Sequence, residues 1–295
     1  MSDAQGLVQF MTALGEIARG ALSPSILPVW QRHILNARDP PKATFAHREY
    51  DVVPDTKNTL IPLGNMVQRS FFFGPHELAA LRKHMPSHTR PYSTFEMLTA
   101  CLWRCRTIAI SPDAEEEVRM ICVVNARGKF NPLIPEGFYG NAFAIPVAIS
   151  TAEKLCKNPL GYALELVKQA KREVTMEYMR SLADFMVTNG RPQFAVVRAY
   201  VVSDLRRAGF RDVDFGWGKP VYGGPAEAGA GGIPWLASFY IPNKNSKGED
   251  GILVPVCLDE PAMKKFVVKI EKLISNESSV DSETPVKSKV IKSAL

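Results

Sequence analysis

The densest chemical string in this 295-residue chain is Asp214-Phe215-Gly216-Trp217-Gly218, followed by Lys219-Pro220. An acid, two glycines and two aromatic rings in five residues describe a tight loop. Glycine permits positive φ, the rings pack, and the Asp214 carboxylate accepts backbone N–H bonds. Such a loop builds structure; nothing in it calls for catalysis. His33, His76, His84 and His88 have no acidic or nucleophilic companion at a meaningful spacing, so surface positions are expected for all four. The five cysteines (Cys101, Cys105, Cys122, Cys156, Cys257) are odd in number and contain no C-x-x-C pair. That argues against a disulfide framework or a zinc site and for a reducing compartment. Tyr222 to Gly232 is glycine-rich but lacks G-x-G-x-x-G spacing, and Pro234 would block a following helix. A surface loop is expected there, not a nucleotide site.

The elements that must position any site can be read from periodicity. Leu7, Phe10, Met11, Leu14, Ile17 and Ala18 share one face of a first helix, with Ser2 and Gln5 at capping-box spacing, Asp3 at its positive end and Gly20 as its stop. Residues 23–62 are proline-rich and aperiodic, a long connecting segment in which a domain boundary is placed. Beyond it, Val67 to Gly74 reads as a strand, Pro75 to Met85 as a short helix, and Ser93 to Ile110 as a longer helix opened by a Ser93/Glu96 capping box. Val118 to Ala126 reads as one buried strand. Pro159 to Asn189 reads as one long helix burying Leu164, Val167, Ala170, Val174 and Tyr178. Strand-like runs recur at Trp235 to Ile241 and Ile252 to Leu258, and Asp259 caps a last helix over Pro261 to Leu273. The polar, serine-rich end, 275–295, is expected to be disordered. Irregular alternation of strands and helices predicts an α/β fold with a mixed sheet.

Composition narrows the function classes. With 46% hydrophobic residues the chain can bury a substantial core of one or two domains. The net charge of +6 is spread out, enough to favour phosphate-bearing ligands but too diffuse for nucleic acid. Apolar runs are short of the ~18 residues that span a membrane, and the start does not read as a secretory leader, so neither a membrane nor a nucleic acid is expected as partner and the cytoplasm is the expected location.

Four segments in order carry a family resemblance: Ser93 to Arg106 (STFEMLTACLWRCR), Val124 to Pro132 (VNARGKFNP), Gly137 to Phe143 (GFYGNAF) and the DFGWG string at 214–218. Together they resemble the plant BAHD acyl-CoA-dependent acyltransferases, within which they are nearest the benzyl alcohol benzoyltransferase-like and fruit-ester alcohol acyltransferase branches. The resemblance implies a chloramphenicol acetyltransferase-like two-domain fold with mixed sheets. It implies transfer of an acyl group from acyl-CoA, a co-substrate, to a small alcohol by a monomer, with no metal, cofactor or covalent intermediate. The family's other signature is H-x-x-x-D, whose histidine is the general base. Here Met1-Ser2-Asp3-Ala4 resembles the tail of an H-T-M-S-D-A version, which would put that histidine two residues ahead of Met1. On this reading residues 1–45 are the remnant of a mostly missing first domain, 46–65 the crossover linker and 66–274 the second domain. The alternative is a truncated product or degenerate paralogue that does not catalyse.

His47-Arg48-Glu49-Tyr50-Asp51 also satisfies H-x-x-x-D, but Val52-Val53-Pro54 follows in place of an amphipathic helix. His47 is therefore read as a solvated loop residue. The resemblance implies that Asp3 pairs with an arginine of the second domain, here Arg127; Asp3 could instead cap its helix, or do both. It further implies that Ser93 and Thr94 lie along the pantetheine arm and Asn141 near the acyl-transfer channel. From the residues alone, Ser93 is a helix cap and Asn141 a turn residue after Gly140.

Overall fold

The computed structural model describes residues 2–55, 66–225 and 236–275. The expected disordered end, the later part of the glycine-rich stretch and the second half of the crossover linker lie outside the described residues.

The first helix, α1 (Ala4–Ala18), begins at Asp3, whose Oδ1 accepts from Gly6 N at 3.0 Å. The Ser2/Gln5 box does not form, because the Ser2 hydroxyl donates to Tyr139 O at 2.7 Å instead. Gly20, at φ 96°, follows the C-cap, as expected of a helix stop. The buried side of α1 is not its apolar face. Gly6, Val8 and Gly15 face inward, whereas Leu7, Phe10, Leu14 and Ile17 stand exposed. The cause is close backbone approach: a Cβ on Gly6 would lie 2.1 Å from Tyr139 O, and one on Gly15 2.3 Å from Asp214 O. Two loops press onto the helix where it has no side chains.

From α1 the chain runs extended, with 3-10 turns at Arg32–Leu35 and Arg48–Tyr50. Then come β1 (Met66–Phe73), α2 (Pro75–Lys83), α3 (Thr94–Ile110), β2 (Glu117–Cys122), β3 (Val124–Asn125), β4 (Phe143–Ala144), β5 (Val147–Thr151) and α4 (Ala152–Lys157). After these follow α5 (Leu160–Glu173), α6 (Met176–Thr188), β6 (Ala199–Asp204), β7 (Ala237–Lys244), β8 (Asp250–Asp259) and α7 (Glu260–Ile274). One six-stranded sheet has the order β1-β8-β7-β6-β2-β5; β6 is parallel to β7 and β2, and the other pairs are antiparallel. The sheet is mixed, as the irregular alternation predicts.

Against the sheet lies α3, flanked by α5 and α7 and buried nearly all round through Met97, Leu98, Cys101, Leu102 and Trp103. Its capping box is present: Ser93 Oγ accepts from Glu96 N at 3.2 Å and Glu96 Oε2 accepts from Ser93 N at 2.7 Å. Asp259 caps α7 by accepting from Ala262 N at 2.7 Å. All five cysteines are free thiols. A second, smaller core gathers Phe130, Phe138, Val174, Tyr178 and Leu182, and Ile34, Leu35, Phe45 and Tyr50 of the extended segment pack onto it.

Two elements expected as single pieces are divided. The strand over 118–126 leaves the main sheet after Cys122, and Val124 and Asn125 pair with β4 in a separate ribbon. The helix over 159–189 breaks at Val174, which turns out of helical geometry (ψ 93°) while its side chain fills the second core. Thr175 then starts α6 by accepting from Tyr178 N at 3.1 Å. A β-branched pair is a weak link in a helix, and a threonine that caps supplies an alternative. Strands β4, β5 and β6 and helix α4 are absent from the sequence reading.

Thr175→Ala should remove that cap and destabilise the fold by about 0.5–2 kcal/mol with an unchanged denaturant slope. Urea unfolding measures this; a midpoint identical to the parent's would mean that Val174 alone sets the break.

Candidate functional site

The site grows from one carboxylate. Asp3 Oδ2 accepts from Arg127 Nη1 at 2.7 Å, and Oδ1 accepts from Arg127 Nη2 at 2.9 Å, a two-pronged pair joining residues 124 apart. Ala142 N also donates to Oδ2 at 3.0 Å, and Gly6 N to Oδ1. Asp3 thus caps α1 and pairs with Arg127 at once, so both readings of the residue hold geometrically. Arg127 is fixed in turn, with Nη2 donating to Gly140 O at 2.9 Å and Phe138 O at 3.2 Å. The pair is largely buried, the side chains being 10% and 17% exposed. Burial pushes the Asp3 carboxyl upward, but hydrogen bonds from Arg127, Ala142 and Gly6, with the arginine charge, outweigh it and hold the group below its ordinary value of 3.8.

Beside the pair, α1 and the Ile134–Phe138 loop enclose a cavity of about 290 Å³ lined by Gln5, Gln9, Thr12, Arg127 and Phe138 among others. Gln9 Nε2 donates to Gly137 O at 2.9 Å and ties helix to loop. Gly137 has φ 87°, and a Cβ there would meet Leu27 O at 2.2 Å. The sequence reading missed Gln9 and Gly137; the positive φ that glycine allows is the only local signal either offers.

The remaining expected site residues are scattered. Asn141 is exposed, one residue before the Ala142 amide that donates to Asp3. Ser93 and Thr94 open α3, where Ser93 serves its capping box and Thr94 Oγ1 accepts from Arg82 Nη2 at 3.4 Å. In the DFGWG loop, Asp214 Oδ1 accepts from Gly216 N at 2.7 Å and Gly218 N at 3.1 Å, and both glycines have positive φ. Those two bonds hold the Asp214 carboxyl below its ordinary value. Its backbone carbonyl accepts from Arg19 Nη1, which anchors the loop to the far end of α1 from Asp3. One expectation fails: Trp217 does not pack but is 94% exposed, because the turn directs it outward, while Phe215 is half-buried.

The histidines divide. His33, His76, His84 and His88 are exposed, as expected. His47, read as a solvated loop residue, is 3% exposed, with Nδ1 3.1 Å from Glu49 Oε1 and Nε2 2.8 Å from Ser181 Oγ. Glu49 is local, but Ser181 and the packed ring of Tyr178 come from α6, far along the chain and invisible to local spacing.

The sequence profile of the Transferase family, the BAHD acyltransferases of the motif resemblance, matches residues 1–273. The chain belongs to this family. Among similar members, a benzyl alcohol O-benzoyltransferase of Petunia hybrida is 65% identical over 283 residues, covering 96% of this chain and 62% of the relative. Alcohol acyl transferase 2 of Malus domestica is 54% identical over 279 residues, covering 92% of this chain and 60% of the relative. The chain therefore spans about three-fifths of the length of these Transferase family relatives. Vinorine synthase is similar in structure, with TM-score 0.64 at 21% identity, covering 92% of this chain and 60% of that one. F. graminearum TRI101, solved with coenzyme A and deoxynivalenol, gives TM-score 0.67 at 16% identity, covering 90% and 62%. At such identities the likeness establishes the fold: the chloramphenicol acetyltransferase-like α/β architecture with a mixed sheet.

Arg127→Met strands a largely buried carboxylate, a change that costs about 3–5 kcal/mol when no partner remains. Because Ala142 and Gly6 still donate to Asp3, a loss near the lower end, about 3 kcal/mol, is expected near neutral pH. The folded-state pKa of Asp3 is depressed, so its contribution is present above 3.8 and is lost as pH falls through the folded value. The gap between parent and variant should therefore narrow in acid, measured by urea unfolding across pH; a gap that widened in acid would contradict the assignment.

Proposed function

We propose that the chain serves acyl-CoA-dependent O-acyl transfer, in which a benzoyl, acetyl or similar acyl group moves from CoA to a small alcohol and forms an ester. The observation that carries this reading is the two-pronged Asp3–Arg127 pair, set at the start of α1 where Met1-Ser2-Asp3-Ala4 resembles the tail of the family's H-x-x-x-D motif. The names of the petunia and apple relatives, an alcohol benzoyltransferase and an alcohol acyl transferase, support the substrate class.

In this chemistry a histidine takes the proton from the alcohol as its oxygen attacks the thioester carbonyl; the C–S bond breaks, and the same histidine returns the proton to the departing thiolate. An imidazole with near-neutral pKa suits both steps. In the family's H-x-x-x-D motif that role falls to the histidine four positions ahead of the aspartate. His47 is unsuited to it, since its ring is buried and both nitrogens are already committed. Asp3 faces Arg127 and backbone amides, so its role is to fix α1 and thereby the base, not to relay a proton. The reading asks for no metal and no cofactor beyond the acyl-CoA co-substrate, and for a cytoplasmic monomer that engages neither nucleic acid nor membrane. Among the described residues no helix is long and apolar enough to cross a membrane.

The test compares residues 1–295 with the same chain extended upstream by the matching segment of the petunia relative, with a histidine placed four positions ahead of Asp3. Benzoyl-CoA and benzyl alcohol are supplied, and free thiol release is followed. The extended form should turn over at least about 10²–10⁴-fold faster, the usual contribution of a positioned base. Equal rates in the two forms would return the base to a residue within 1–295.

A further inference from the structure

Helix α6 presents Glu177, Ser181 and Asp184 at spacings of four and three, hence on one face. All three receive the extended segment before the crossover. Asp184 accepts from Arg38 N at 2.7 Å, Arg38 Nε at 2.6 Å and Lys42 N at 3.0 Å. Glu177 accepts from Thr44 Oγ1 at 2.8 Å. Ser181 Oγ, fully buried, accepts from both Thr44 N and Phe45 N at 2.9 Å and lies 2.8 Å from His47 Nε2.

A hydroxyl has two acceptor sites and one proton. The two backbone amides fill both acceptor sites, so the Ser181 proton must go to His47 Nε2. That nitrogen is then an acceptor, and the imidazole carries its proton on Nδ1, where it donates to Glu49 Oε1. Tyr178 O–H donates to the same oxygen. The order Glu49, His47, Ser181 is that of an acid–base–hydroxyl triad, yet it is not a nucleophilic one. Ser181 has no exposed surface and no free lone pair.

The neighbours of this cluster show what it holds. Phe45 and Tyr50 pack onto the second core, and Tyr178 belongs to it together with Ala126, next to Arg127, Phe138, whose carbonyl accepts from Arg127, and Ala142, whose amide donates to Asp3. We propose that Ser181 and His47 are positioning residues of the transfer site. They lock residues 38–49 onto α6 with His47 in its neutral Nδ1–H form, and through the second core they hold the Arg127 loop against Asp3. The kinetic side of this inference rests on the acyltransferase reading above; the clasp itself does not.

The experiment uses the upstream-extended chain as parent, with the variants Ser181→Ala, His47→Phe and His47→Gln, the last keeping a donor and an acceptor on one planar group. In Ser181→Ala the amides of Thr44 and Phe45 should exchange hydrogen about 10-fold faster while that of Met120 in β2 is unchanged, a local opening rather than global unfolding. Turnover should fall by up to about 100-fold with little change in KM, the consequence of a small misplacement at the reacting centre. His47→Phe should show the same fall, and His47→Gln should recover part of it. Imidazole 15N shifts in the parent should report the Nδ1–H tautomer, and this decides the matter even if Ser181→Ala does not fold. An Nε2–H tautomer, or a released segment with turnover intact, overturns the inference. A parent with no turnover would sink the acyltransferase reading instead, leaving exchange and tautomer to judge the clasp.

Discussion

The site hangs on the neutralisation of one largely buried carboxylate. An ionised aspartate taken out of water is costly unless its lone pairs find donors and its charge a partner, and Asp3 finds both. The four donors come from three places: the first turn of α1, Arg127, and the amide of Ala142. The contact therefore closes a triangle between a helix near the chain's start and two loops more than a hundred residues on. Arg127 in turn binds the carbonyls of Phe138 and Gly140, so the loop is shaped around the charge. Glycine at position 6 follows from the same constraint: its amide must reach Asp3 while Tyr139 O occupies the space a Cβ would take.

Legibility in the sequence followed the range of the interactions. Ser93 with Glu96 and Asp259 with Ala262 lie within one turn, and both caps were readable because partner and position are local. The Asp3–Arg127 pair was reached through motif order, since no local rule ties residues 124 positions apart. His47 failed for the complementary reason: its nearest residues suggested a loop, and its burial depends on Ser181 and Tyr178 of α6. Which face of α1 is buried was not legible, because apolar periodicity counts side chains. Here the packing is done by backbone against glycine, a contact that hydrophobicity cannot register. Val174 shows the same limit. Its apolar character placed it correctly in a core, but the turn needed to put it there was chosen by the second core and the Thr175 cap, not by helical propensity.

The DFGWG loop acquires a mechanical meaning from this arrangement. Its acid is consumed by its own glycines' amides, and its carbonyl receives Arg19, so the loop offers a surface on which the second half of α1 rests at Gly15. Asp3 and Gly15 are twelve residues apart, about 18 Å along a helix rising 1.5 Å per residue. A tilt of about 3° at the loop would shift the helix start by about 1 Å over that length. Misplacement of that order at a reacting centre is enough to cost about 100-fold in rate. The DFGWG loop and the Asp3–Arg127 pair thus hold the two ends of one short helix, so that displacement at the loop loads the contacts of Asp3.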